Sequence, residues 1–382
     1  MSVARSERVS AGILLGAAIL GLVLANTSAG QELLHIQHAE FGPPGAVLSL
    51  GHWISDGLLA VFFFIVAIEL KHELVAGELN SFHKAVHPAI AAAGGVIVPA
   101  VIYVLFTRGT DFGSGWPIPT ATDIAFALGV LAVFGRGLPN RLRVFLLALA
   151  VLDDLIAIII IAVFFTTNPN LADLGGAVLT TVAFGLLSRQ LKGRAKAPVA
   201  VLMVILGVLT WWLVHDSGVH ATIAGVALGL VMARVPAGRT AHTLQPWSNL
   251  LILPVFAFSA ALVEIPRVSP DQLAAPFWAI IVALPVGKLV GISLGGWLGS
   301  HVGPRAERTK ISMPNLITVS LLGGIGFTVS LLMNELAFSG TPEIRDEGTL
   351  AVLIGSGISM LAAAIAVSLR ARSYRAQFPH DH

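Results

Sequence analysis

Long apolar segments recur along this chain and are separated by short polar joints. Because the apolar core of a bilayer is about 30 Å thick, a helix needs roughly 20 mostly apolar residues to cross it. Twelve such segments are predicted, and eleven remain an alternative because the joint at residues 215–218 is tight. They cover residues 9–26, 53–71, 86–107, 117–135, 144–166, 172–188, 198–214, 218–233, 248–263, 276–299, 315–338 and 348–369. The pattern predicts an all-α integral membrane protein.

The joints and the composition support one membrane domain. No joint is long enough to fold separately, so residues 1–382 are predicted to form a single polytopic domain. Only 12% of the residues are charged, against about 25% in a typical soluble protein. A soluble enzyme, a nucleic-acid binder and a disordered regulator are therefore excluded. Since the chain has no cysteine, disulfides and thiolate metal sites are excluded as well.

The basic residues are distributed very unevenly between the two sets of joints. Of the 23 Lys and Arg residues, 19 lie in the N-terminal tail and in every second joint. The opposite joints hold only Arg108, Arg267 and Arg345, and Lys288 lies inside a span. Because cytoplasmic loops carry the excess of Lys and Arg, this asymmetry predicts that both termini are cytoplasmic.

Four charged residues lie deep within the predicted spans: Asp123, the adjacent Asp153 and Asp154, and Lys288. Each costs about 2.5–3.5 kcal/mol on insertion scales, so each needs a partner or a function. One acid could form a purely structural ion pair with Lys288. The other two carboxylates would then be protonated, hydrated or neutralised by a mobile ion.

The adjacent aspartates suggest how carboxylates without a fixed cation could function. Neighbouring residues differ by about 100° around a helix, so one carboxylate can face a cavity while the other faces a neighbouring helix. A proton and a monovalent cation would compete for the same oxygens. A pair of carboxylates exposed alternately to the two sides is sufficient for cation/proton exchange.

Two spans are interrupted. Residues 116–123 place two prolines and two threonines ahead of Asp123, and residues 323–328 contain three glycines. Irregular backbone at membrane depth is tolerated only where it lines a cavity or is buried in protein. Paired interruptions in the two halves of a transporter indicate its binding site. Asp123 would offset the positive ends of the half-helices there, and Lys288 the negative ends.

Several sequence blocks closely resemble the NhaA family of sodium/proton antiporters. They are Phe62-Phe63-Phe64 through Glu69-Leu70-Lys71-His72-Glu73, Ala121-Thr122-Asp123-Ile124-Ala125-Phe126, Leu152-Asp153-Asp154-Leu155, Ser217-Gly218-Val219-His220-Ala221-Thr222, Gly287-Lys288-Leu289-Val290-Gly291-Ile292 and Gly324-Ile325-Gly326-Phe327-Thr328. The resemblance runs over most of the chain. It implies twelve helices, with helices 3–5 and 10–12 as inverted-topology repeats.

The resemblance also implies site residues and an activity. The cation and proton site would be Asp153 and Asp154 with Thr122, and Lys288 would pair with Asp153. Asp123 would lie where the two broken helices cross. The expected function is exchange of Na⁺ or Li⁺ for H⁺ across the bacterial cytoplasmic membrane, with more protons than cations moved per cycle. Such a protein serves pH homeostasis and is a transporter with no enzymatic activity, cofactor, nucleotide or nucleic-acid partner.

Regulation and assembly are further expectations from the resemblance. The pH response would involve Glu69, Glu73 and His242, while Ala241 replaces a glutamate found in some relatives and leaves the pH of activation open. The segment Gln31–Leu50 lies where some relatives form a dimer-contact hairpin. Its Gly42-Pro43-Pro44-Gly45 run suits a turn and makes a homodimer in the lipid membrane plausible.

Two other functions use the same residues. In a cation channel the acids would line a continuous pore, although channels usually build their filters around a symmetry axis. An intramembrane aspartyl protease would use Asp123 with Asp153 or Asp154. A G-x-S-x-G pattern at residues 291–295 lies inside a predicted helix, where small residues favour close packing over a nucleophile elbow.

Overall fold

The computed structural model is almost entirely helical, which confirms the predicted class. It describes residues 7–42, 47–77, 79–166, 169–191, 196–265, 270–302 and 311–377. The helices are α1 (Glu7–Ala25), α2 (Gly30–His38), α3 (Leu50–Val75), α4 (Phe82–Phe106), α5 (Ile124–Phe134), α6 (Asn140–Phe164), α7 (Leu171–Ser188), α8 (Lys196–Asp216), α9 (Thr222–Val231), α10 (Arg234–Trp247), α11 (Leu253–Ala260), α12 (Ala275–Gly299), α13 (Met313–Gly323), α14 (Phe327–Ala337) and α15 (Pro342–Gln377).

Every predicted span falls on helical structure, but fewer than twelve of the described helices are long enough to cross a membrane alone. Within the described part of the chain, nine helical segments are long and apolar enough to cross a membrane. The number becomes ten if α13 and α14, which meet at a bend of 50°, count as one. By itself α9 is too short, with 10 residues. Twelve crossings therefore remain a prediction.

Both predicted interruptions are present, and they contact each other. Ahead of α5, two short 3₁₀ turns (Gly113–Gly115 and Ile118–Thr120) give way to extended backbone at Ala121 and Asp123. The prolines of this segment lack the N–H groups that a continuous helix needs. The N–H of Asp123 donates to the carbonyl of Ile325, in the break between α13 and α14, over 2.6 Å. The two breaks therefore cross inside the protein.

The helices around the breaks are closely packed. A Cβ atom on Gly94 of α4 would collide with the carbonyl of Gly291 of α12, and one on Gly291 would collide with the carbonyl of Gly94. Small residues thus let the two backbones touch. In the same helix, the hydroxyl of Ser293 is 2.9 Å from that of Ser320 in α13. The G-x-S-x-G pattern is therefore a packing element.

The segment between α1 and α3 is only partly a hairpin. Its first half forms α2, and two short antiparallel strands follow, β1 (Glu40–Phe41) and β2 (Leu48–Ser49). The indole of Trp53 donates to the carbonyl of Phe41 over 3.0 Å and ties this hairpin to α3. The predicted turn residues Pro43, Pro44 and Gly45 lie outside the described residues.

Candidate functional site

A buried ion pair lies beside the crossing of the broken helices. The ammonium Nζ of Lys288 is 2.8 Å from Oδ2 of Asp153, and neither side chain is exposed to solvent. Asp153 comes from the middle of α6. Lys288 directly follows a π-helical segment of α12, Ala283–Gly287, and such segments often occur at functional sites. The structure therefore joins the single buried base predicted within the spans to the first of the two adjacent aspartates.

Thr122 links this ion pair to the broken helices. Its Oγ1 lies 2.6 Å from Oδ2 of Asp153 and 2.8 Å from the carbonyl of Gly323, the last residue of α13. It also accepts a hydrogen bond of 3.1 Å from Lys288. A hydroxyl has one proton to donate, so Thr122 can serve the carboxylate or the carbonyl, not both at once. Lys288 thus reaches the negative end of α13 through Thr122.

Asp123 holds the positive ends of two half-helices. Its Oδ1 accepts a hydrogen bond of 3.1 Å from the N–H of Phe126 in the first turn of α5. Its Oδ2 accepts hydrogen bonds from the N–H and the hydroxyl of Thr328 in α14, at 3.1 and 2.6 Å. Because a helix N-terminus carries partial positive charge, one carboxylate can stabilise both helix starts.

Asp154 does not share the contacts of Asp153 and lies at the deep end of a cavity of about 590 Å³. Thr122, Asp123 and Thr328 line the same end, whereas Asp153 does not contribute to the lining. No described residue donates a hydrogen bond to the Asp154 carboxylate. The second oxygen of Asp153, Oδ1, is buried and has no hydrogen-bond partner in the described part of the chain. The two acids therefore have different surroundings: one is ion-paired and the other faces the cavity.

The residues expected to respond to pH line the same cavity as Asp154. Glu69 and Glu73 come from the last turns of α3, and His242 comes from α10. Ala241, at the position where some relatives have glutamate, is also part of the lining. The structure brings this group together within one cavity that ends at Asp154.

The sequence did not single out Gln245 or Asn249. Gln245 and Asn249 line the cavity opposite Asp154, and Asn249 belongs to a second π-helical segment, Ser248–Ile252. A polar residue just inside a predicted span, shortly after Pro246, was the available signal.

A second cavity of about 410 Å³ lies at the opposite end of the bundle. Glu335, Arg345 and Asp346 contribute to its lining. The two cavities share no lining residue: Leu253 and Val329 belong to the first, Phe256 and Leu331 to the second. All four side chains are buried, so packed apolar groups separate the two cavities.

Broken helices crossing at an ion-paired site, with separate cavities on the two sides, define a secondary transporter. A sequence model described as Na⁺/H⁺ antiporter 1 matches residues 1–367. The "Na(+)/H(+) antiporter NhaA 2" of Clavibacter michiganensis is 59% identical over 380 residues, covering 98% of this chain and 93% of that protein. The "Na(+)/H(+) antiporter NhaA" of Tropheryma whipplei strain Twist is 46% identical over 372 residues, covering 96% and 94%.

A third relative, the "Na(+)/H(+) antiporter NhaA" of Mycolicibacterium smegmatis, is 43% identical over 385 residues and covers 97% of this chain. The chain therefore belongs to the Na⁺/H⁺ antiporter 1 family, whose members are transporters and not enzymes. With its apolar helices it is a multi-pass protein of the bacterial inner membrane.

Proposed function

We propose that this protein exchanges Na⁺ or Li⁺ for H⁺, with Asp154 as the group at which cation and proton compete. The observation that carries this proposal is the contrast between the two adjacent acids. Lys288 neutralises Asp153, whereas Asp154 faces a cavity with no fixed cation against it. A buried carboxylate is stable as the neutral acid or next to a counter-ion. Entry of Na⁺ therefore releases the Asp154 proton, and protonation expels Na⁺.

Thr122 and Asp153 complete this proposed site. Thr122 lines the cavity while its hydroxyl contacts the ion pair, so the hydroxyl oxygen can bind a cation held by Asp154. If the cation draws the Asp153 carboxylate toward the cavity, Lys288 loses its partner and can release a second proton. Two protons for one cation make the cycle electrogenic, as the resemblance implies. Asp123 keeps the half-helix ends neutral while this happens.

The direction of the cavity follows from the basic residues. Arg143 and Arg234 contribute to the lining of the cavity that ends at Asp154. Because basic residues accumulate in cytoplasmic joints, this cavity faces the cytoplasm and both termini are cytoplasmic. The cavity lined by Glu335 then faces outward. Alternating access would shift the inverted repeats against the other helices so that Asp154 reaches the second cavity.

The structure favours an exchanger over a channel, because a channel needs a continuous pore. The packed side chains between the two cavities interrupt any such path in this conformation. The same site needs no cofactor and no nucleotide, since the proton gradient supplies the driving force. The hairpin β1–β2 is the proposed contact of a homodimer.

The test is Na⁺-dependent dequenching of a pH-sensitive dye in everted membrane vesicles. We expect Asp153→Asn and Asp154→Asn to abolish the signal while the protein remains inserted and monodisperse. The matched control is Asp271→Asn, the same chemical change at an exposed residue that lines neither cavity. Wild-type Na⁺-dependent proton movement in both site variants would refute the mechanism. A linear, non-saturating conductance in proteoliposomes would instead support the channel.

A further inference from the structure

The wall of the cavity opposite Asp154 is built by one continuous helical stripe. From the mouth inward, α10 and the segment leading to α11 contribute residues spaced about one turn apart. The polar members of the stripe are Arg234, His242, Gln245 and Asn249. The next member is Leu253, which is buried and apolar. Asn249 is therefore the deepest polar side chain on this wall.

The facing wall also ends on a polar side chain at its deep end. On α6 the cavity is lined by Arg143, Leu147, Val151 and Asp154, from the start of the helix inward. Asp154 is the last member of this stripe, as Asn249 is the last polar member of the other. The deepest polar groups of the two walls are thus an acid and an amide.

The local structure and hydrogen bonding of Asn249 are unusual for a purely structural amide. It belongs to the π-helical segment Ser248–Ile252, and π-helical turns often mark functional positions. No described residue forms a hydrogen bond with its side chain, although Asn can form four. Gln245, one turn away, contributes to the same lining, but its side chain forms a hydrogen bond with Glu69. The amide of Asn249 is free to meet a ligand from the cavity.

We propose that Asn249 is a specificity-determining residue: its side-chain carbonyl supplies a neutral oxygen to the Na⁺ that Asp154 binds, directly or through one water. This inference rests on the proposed function. Alkali cations are bound by oxygen ligands, and a cation that leaves water must replace the oxygens that it loses. Asp154 and Thr122 provide oxygens from one wall only. A neutral oxygen on the other wall binds the cation without adding a second charge that would hold protons.

The ion preference separates this role from a structural one. Li⁺ is smaller than Na⁺ and is satisfied by fewer ligands, so removal of one oxygen should weaken Na⁺ more than Li⁺. A variant that only disturbs packing should weaken both ions by the same factor. The ratio of the apparent KM values for Na⁺ and Li⁺ is therefore the diagnostic quantity.

The experiment compares the wild-type protein, Asn249→Ala and Asn249→Ser in proteoliposomes with Na⁺ or Li⁺. The control is Leu251→Ala, in the same π-helical segment but 50% exposed on the outside of the bundle. For Asn249→Ala we expect the apparent KM for Na⁺ to rise about fivefold or more, which is the loss of affinity expected when one contact to a charged group is removed. The maximal rate should stay within about twofold, because a lost binding contact acts on KM.

The remaining outcomes are also decisive. Asn249→Ser, which keeps an oxygen, should lie between the wild type and Asn249→Ala, and it decides the question if the alanine variant does not fold. An unchanged ratio of the Na⁺ and Li⁺ KM values in the folded variants would overturn the proposal. If the wild-type protein itself shows no Na⁺-dependent proton movement, the proposed function fails instead.

Discussion

The ion pair between Lys288 and Asp153 permits a quantitative prediction. At 2.8 Å the attraction between the two charges is about 6 kcal/mol if the effective dielectric constant is about 20. Burying both charges offsets much of this attraction. Removing one partner leaves the other charge buried alone, which typically costs about 3–5 kcal/mol. We therefore expect Lys288→Met to lower the melting temperature of the purified protein clearly.

The neighbours of Asp153 indicate that nothing nearby can replace Lys288. The carboxylate would keep only the hydroxyl of Thr122, and its Oδ1 already lacks a partner among the described residues. The double variant Lys288→Met with Asp153→Asn contains no unpaired charge. It should recover most of the lost stability, because neutral groups of similar volume replace buried ion pairs at little cost.

The assay is thermal unfolding in detergent, monitored by fluorescence. The control is Arg239→Met, which removes an exposed basic residue. The reasoning is wrong if Lys288→Met melts like the wild type. It is equally wrong if the double variant is no more stable than Lys288→Met alone.

Three further predictions concern the site and its support. Asp123→Asn should keep part of the transport but change the apparent KM for Na⁺, because the amide keeps only one of the two accepting oxygens and the charge facing two helix ends is lost. Initial rates across Na⁺ concentrations would show this. For wild-type protein the apparent KM for Na⁺ should rise as the pH falls, by up to about tenfold per pH unit for each proton that the cation displaces. A KM independent of pH between 7 and 9 would contradict the competition. Gly291→Leu should greatly reduce the yield of folded protein, measured by size-exclusion chromatography, because the added side chain would force α4 away from α12. Gly16→Leu should be tolerated, since a Cβ atom added there would meet nothing within 4 Å.

The sequence by itself was sufficient to identify the class of protein and the charged residues that lie within the spans. Apolar length, the unequal distribution of Lys and Arg and the rarity of charges in spans are local properties of the sequence. Because the thickness and polarity of the bilayer are known, these properties predict the spans, their orientation and a few candidate site residues. Both interruptions could also be predicted from the sequence, since closely spaced prolines and glycines disturb a helix wherever it packs.

Which groups meet was decided only by the tertiary structure. Whether Lys288 reaches Asp153 or Asp154 depends on how α6 and α12 are rotated about their axes. That rotation is set by contacts between residues distant in sequence, such as Gly94 with Gly291. The crossing of the breaks at Ile325, the cavity below Asp154 and the position of Asn249 opposite it have the same origin. Hydropathy reports the depth of a residue in the membrane, whereas helix packing determines the direction in which its side chain points.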